Sequence, residues 1–303
     1  MVDVSACPNG GIQSSGIANQ CGVEAAQPAI DVWQNQFDSE IIQVSQETGV
    51  PAQLMKNIFS KESQFWPGFS ATYKEAGLGH LSDLGADTVL LWNPDFFRQF
   101  CPLVLDTTIC QRGFGNLDLS DQEMLRGALV QKVNAACPDC PDGIDLRQAN
   151  FSISIFARSI LANCEQVGQI IYNHTRRPAG EVSIYEDLWR FTLVNYNAGP
   201  GCLSAAIQLA VDSNTPLTWE NIIQFLEPGA CQASIDYVED IALMPEMLEV
   251  TPIATVLPPM APTPTPISTP TDLPDEPTQI APTPTPTEFG YPPPEPTYAP
   301  PYP

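Results

Sequence analysis

Nineteen of the chain's 32 prolines fall within residues 251–303, together with eleven threonines and no lysine or arginine. That stretch includes APTPTPISTPTDLPDEPTQIAPTPTPTEFGYPPPEPTYAPPYP. Such a composition cannot bury enough apolar surface to offset the entropy of ordering it. A disordered, polyproline-II-like and semi-rigid spacer is expected. It can serve as a stalk or wall-spanning linker that attaches a domain to a cell wall or surface; the plain alternative is an inert tail. Folding is thereby confined to one domain of about residues 25–250, preceded by an N-terminal extension at 1–24.

Charge removes further classes. The chain carries 35 acidic against 12 basic side chains, a net charge of -23. A nucleic-acid backbone is repelled by that balance, and no basic patch offsets it. No apolar run reaches the roughly 18 residues of a membrane span. With 43% hydrophobic residues the folded part can build an ordinary core.

Nine cysteines, at 7, 21, 101, 110, 137, 140, 164, 202 and 231, suit an oxidising compartment, with one left over by the odd count. Cys137-Pro-Asp-Cys140 has redox or zinc spacing, but there is no second such pair. The only histidines, His80 and His174, are far away in sequence, so a local or crossed disulfide is expected there and no metal site. The start, MVDVSACPNG, has neither the charged region nor the apolar run of a signal peptide. A trimmed chain, a misplaced start or a piece of a longer secreted protein would each reconcile that with the cysteines.

Periodicity points to a mostly α domain. Ile30, Trp33, Phe37, Ile41 and Val44 recur at helical spacing up to Gly49, and Pro51 opens a second helix. Loop or short strands are expected over Trp66–Leu81, and helices over Asp83–Phe100, Ser120–Ala136, Leu146–Tyr172, Leu188–Tyr196, Cys202–Val211, Glu220–Leu226 and Ala233–Leu248.

On the second helix Glu62 shares a face with Ile58, Phe59 and Phe65. A carboxylate on an apolar face is costly, and burial together with the negative end of a helix favours its neutral form. A carboxyl kept protonated near neutrality is what a general acid needs to protonate a glycosidic oxygen. The bland alternative is a solvated helix-end glutamate paired with Lys61.

Lys61-Glu62-Ser63-Gln64-Phe65-Trp66-Pro67 resembles the ES-x-F-x-P motif of lytic transglycosylases and goose-type lysozymes. Gly77-Leu78-Gly79-His80-Leu81 stands where that family has a GLMQ-type strand, and Asn195-Tyr196-Asn197-Ala198-Gly199-Pro200-Gly201 is similar to its YNAGPG motif. Tyr237-Val238 is similar to the YV pair of its closing helix, and Asn150 to the asparagine that opens its long helix. The resemblance implies a lysozyme-like α domain (goose-type or soluble lytic transglycosylase) with a groove for peptidoglycan glycan strands. It also implies a location that is extracellular, at the cell surface or periplasmic, and no metal or organic cofactor.

By the same resemblance Glu62 is the single catalytic acid/base, with Ser63, His80, Tyr196, Asn197 and Tyr237 in the substrate-binding set. Tyr196 and Tyr237 would hold the glutamate or the reacting sugar, and Asn197 would support its turn. Two departures stand out: His80 replaces the family's glutamine, which would make activity pH-dependent, and Gly79 replaces its methionine. The cysteine-bearing insertion at about 100–145 is longer than the family's minimal domain and can be read as a disulfide-tied flap that shapes the groove or blocks it. Asp83 and Asp87 are the candidates for activating water in a hydrolytic muramidase. A catalytically inactive glycan-binding or structural surface module is the remaining alternative.

Overall fold

The computed structural model describes residues 2–71 and 74–242 of the chain. The proline-rich segment 251–303, and the end of the last expected helix beyond residue 242, lie outside them.

The described part is mostly helical. Three helices come first, α1 (Gln20–Asn35), α2 (Asp38–Thr48) and α3 (Ala52–Ser63). The short strands β1 (Phe69–Ser70) and β2 (Glu75–Ala76) then pair antiparallel, Phe69 opposite Ala76 and Ser70 opposite Glu75. Next follow α4 (Asp83–Trp92), α5 (Pro94–Phe100), α6 (Thr107–Cys110) and α7 (Leu119–Val133). The long α8 (Leu146–Thr175) precedes α9 (Tyr185–Ala198), α10 (Pro200–Asp212), α11 (Trp219–Ile222) and α12 (Ala230–Ala242).

Local chemistry sets these boundaries. Gly49 ends α2 in the left-handed region, φ +78°, and donates its N–H to Ser45. The single run expected over 83–100 is split because Pro94 disfavours helical backbone at Asn93, whose side chain instead caps α5 through the Phe96 N–H at 3.0 Å. The run from Ile30 to Val44 likewise breaks at Gln36 and Phe37, since periodicity records a shared face and not a continuous axis. Asp145 caps α8 by accepting from the N–H groups of Arg147 and Gln148. Asn150 is therefore an interior residue of α8, not the one that opens it.

Two hydrophobic cores share α8. The larger joins α2, α3, α9, α10 and α12 around Ile153, Phe156 and Ile160. The smaller packs Phe96, Phe97, Phe100, Leu125 and Leu129 against Ile155 on the other side of α8. The segment expected as a flap thus carries its own core. Its disulfides, Cys101–Cys110 and Cys137–Cys140, are local and tie it to nothing distant. Cys7–Cys21 and Cys202–Cys231 complete the four, leaving Cys164 free and half-buried.

Among the described residues no helix is long and apolar enough to cross a membrane.

Candidate active site

Glu62 lies in the last turn of α3, above Ile58 and Phe59, both fully buried. The chain then turns sharply, because Gln64 and Phe65 both take left-handed backbone, φ +50° and +62°. That turn folds Phe65 back into the core, with its N–H on the Phe59 carbonyl at 3.2 Å. Ser63 is buried and donates its hydroxyl to the same carbonyl at 3.0 Å, so its proton is used inside α3.

Helix α12 fixes the other side. Asn57 donates to the Ile241 carbonyl at 3.0 Å, and Lys61 pairs with Asp240 and not with Glu62. Between these contacts Tyr237 donates its phenol to Glu62 Oε1. The carboxyl is 19% exposed, so it is neither solvated nor matched by a lysine.

The hairpin of β1 and β2 extends to a bridge between Ala76 and Leu81, with reciprocal hydrogen bonds of 3.1 and 2.8 Å. Its tip is Gly77-Leu78-Gly79-His80, with positive φ at Gly77 (+78°) and His80 (+48°). At Gly79 a β-carbon would lie 1.9 Å from Phe156 Cδ2, so the methionine that the resemblance puts there has no room. The Phe156 ring occupies that space and packs edge-on against Phe59 and Tyr196, centroids 4.9 and 5.9 Å away. Tyr196 donates its phenol to the Gly79 carbonyl and so clamps the hairpin tip onto α9.

The clamp brings His80 to Glu62. His80 Nδ1 stands 3.8 Å from Glu62 Oε2 and 3.6 Å from Glu75 Oε2. Glu75, on β2, is the member of the site that the sequence reasoning missed. Its only local signal was a carboxylate one residue before the apolar Ala76 in a short strand.

Burial raises the pKa of Glu62, opposed by the Tyr237 hydrogen bond and by the Lys61 charge. Burial also raises Glu75, with the Glu62 charge adding to it. The His80 imidazole is pushed down by burial. The phenols of Tyr196 and Tyr237 are driven upward, first by burial, and remain neutral donors.

The other expected residues fall elsewhere. Asn197 is exposed. The buried asparagine of that motif is Asn195, which donates to Asn163 Oδ1 and Gln166 Oε1, both at 2.8 Å, and anchors α9 to α8 behind Tyr196. Asp83 is exposed at the start of α4. Asp87 accepts two hydrogen bonds from Arg126, at 2.9 and 2.8 Å, which leaves it a structural ion pair.

Among the described residues no group of three or more His, Cys, Asp or Glu side chains is arranged to hold a metal ion. No family model, curated protein or solved structure matches the chain.

Proposed function

We propose that this chain is an exported peptidoglycan-cleaving enzyme of the lytic transglycosylase type, with a lysozyme-like helical domain and Glu62 as its single acid/base. The observation that carries the reading is the state of Glu62: a half-buried carboxyl, raised in pKa, aimed by Tyr237 and not neutralised by Lys61. A raised pKa leaves that carboxyl protonated over a wider pH range than a solvated glutamate, which is the direction a general acid needs.

The protonated Glu62 gives its proton to the oxygen between N-acetylmuramic acid and N-acetylglucosamine as the bond from that oxygen to C1 breaks. The acetamido group of the substrate stabilises the positive centre at C1. The Glu62 carboxylate then takes the proton of the C6 hydroxyl, and the C6 oxygen closes on C1 to give a 1,6-anhydro ring. Both steps use one carboxyl, first as acid and then as base. Tyr237 stays neutral and holds that carboxyl in one rotamer throughout. The four disulfides fit an extracellular, cell-surface or periplasmic setting, with the proline-rich segment as spacer or wall attachment.

One observation favours a second reading within the class. Glu75 supplies a second carboxylate at the same His80 nitrogen, and a water activated there would make the enzyme a hydrolase. Glu75 replaces Asp83 and Asp87 as the residue for that role.

Mass spectrometry of soluble fragments from purified peptidoglycan tests the proposal. The full chain should release anhydro-muropeptides, and Glu62→Gln roughly a thousandfold fewer. Reducing-end fragments in their place would establish the hydrolase. If neither protein releases fragments while both sediment with the polymer, the domain is a glycan-binding module.

A further inference from the structure

His80 presents one nitrogen to two carboxylates. Its Nδ1 is 3.6 Å from Glu75 and 3.8 Å from Glu62, and the three side chains are 19% to 28% exposed. The backbone that carries the ring is held on both sides. His80 has left-handed backbone, and its N–H is bonded to the Gly77 carbonyl at 3.2 Å. The carbonyl of the preceding Gly79 is held by Tyr196. The hairpin tip and α3 therefore set the distance between the backbones that carry the imidazole and the carboxyls.

Other charges near this group are accounted for. On α3, Lys61 is committed to Asp240 of α12. Tyr237 of α12 and Tyr196 of α9 face the site as neutral phenols. Lys74, beside Glu75 in the chain, is exposed. So His80 is the one group within 4 Å of both carboxylates that can become a cation among the described residues.

We propose that His80 is a positioning residue that joins Glu62 and Glu75 into one proton-holding unit and thereby gates the acid/base with pH. This deepens the reading of Glu62 as the catalytic acid and rests on it. With His80 neutral, each carboxylate disfavours a second negative charge beside it, and the pair retains a proton that Glu62 can give in the first step. With His80 protonated, an imidazolium lies between two carboxylates and favours their ionised forms, so Glu62 loses its proton more readily. Cleavage then declines on the acid side through His80 and on the alkaline side through Glu62.

Nuclear magnetic resonance titration of the imidazole protons in the full chain tests the unit without substrate. The chain has two histidines, so His80→Gln assigns the signals, and His174 reports that each variant is folded. Glu75→Gln and Glu62→Gln should each lower the His80 midpoint by about one pH unit, the size of one charge removed at about 4 Å in a solvated setting, and leave His174 in place. A His80 midpoint indifferent to both substitutions, with His174 unmoved, would overturn the proposal. This readout does not depend on whether peptidoglycan is cleaved, so it separates failure here from failure of the proposed function. In the active enzyme, His80→Gln should extend activity to lower pH. An unchanged acid limb would show that His80 does not gate Glu62.

Discussion

The two cores on either side of α8 admit different kinds of residue. Among the described residues every fully buried polar or charged side chain, including Ser63, Asn163, Asp187 and Asn195, lies outside the stretch 83–133 that builds the smaller core. The smaller core is Phe, Leu, Val, Ala and a disulfide, with its Asp87–Arg126 pair at the surface. The larger core admits polar groups, among them Asn195 behind Tyr196, Ser63 beneath Glu62, and Ser159, whose hydroxyl has no partner among the described residues. Burying polar groups is costly unless they are bonded, so the larger core gives up some stability where the smaller one does not.

The site sits on the seam. Leu78 of the hairpin tip belongs to the larger core, while Ala76 and Leu81 on its flanks belong to the smaller one. The cysteine-bearing segment is therefore the seat of the hairpin that carries Glu75 and His80. It is not a flap.

The largest expected effect is at the polar core. Glu62→Gln should lower fragment release by roughly 10³-fold, the scale of a lost general acid. The same change should raise the melting temperature at neutral pH. A carboxyl whose folded pKa lies above its unfolded value contributes stability at low pH that is lost as pH rises through the folded pKa. Glutamine escapes that loss, so the gain should vanish in acid. An equal gain at all pH values would show that the Glu62 carboxyl is not perturbed.

Next comes the apolar core. Leu125 is 0% exposed there, and Leu125→Ala should cost about 2–5 kcal/mol in denaturant unfolding. If the two cores are one folding unit across α8, circular dichroism and tryptophan fluorescence will report a single transition, lowered as a whole. Two separated transitions would break the comparison by making the smaller core a domain of its own.

A smaller change is expected for Tyr237→Phe. It removes the hydrogen bond that lowers the Glu62 pKa, so the alkaline limb of activity should move to higher pH. The plateau rate should fall roughly tenfold, the worth of one hydrogen bond to a charged group. A limb that stays in place would mean that Tyr237 does not contact the working carboxyl. Smallest of all, Arg126→Ala should cost about 1 kcal/mol and leave the rate per folded molecule unchanged, because Asp87 is a structural partner. A loss of rate would return Asp87 to the site.

Much of this was legible in the chain as written. The helix map follows from periodicity, Gly49 and Pro51, and Glu62 betrays itself by its apolar neighbours Ile58 and Phe59, whereas Phe65 reaches the core through the turn after α3 and not on its face. What was missed shares one cause. Asn93 and Pro94 split a helix that periodicity joined, Asp145 moved the start of α8 away from Asn150, and Asn195, not Asn197, anchors α9 to α8. Each depends on which face meets which neighbour, and a period of 3.6 residues does not specify the neighbour.

The sequence by itself determined the mostly helical domain, the change of composition at the proline-rich segment and the oddness of one carboxylate on an apolar face. These are local or compositional quantities. Only the tertiary structure decided the company of that carboxylate. Tyr237 lies 175 residues away along the chain, Tyr196 reaches across 117 residues to Gly79, and Glu75 enters through a hairpin tip clamped under Phe156. A carboxyl's proton affinity is the sum of its burial, its hydrogen bonds and its neighbouring charges. All three are set by where distant segments come to rest.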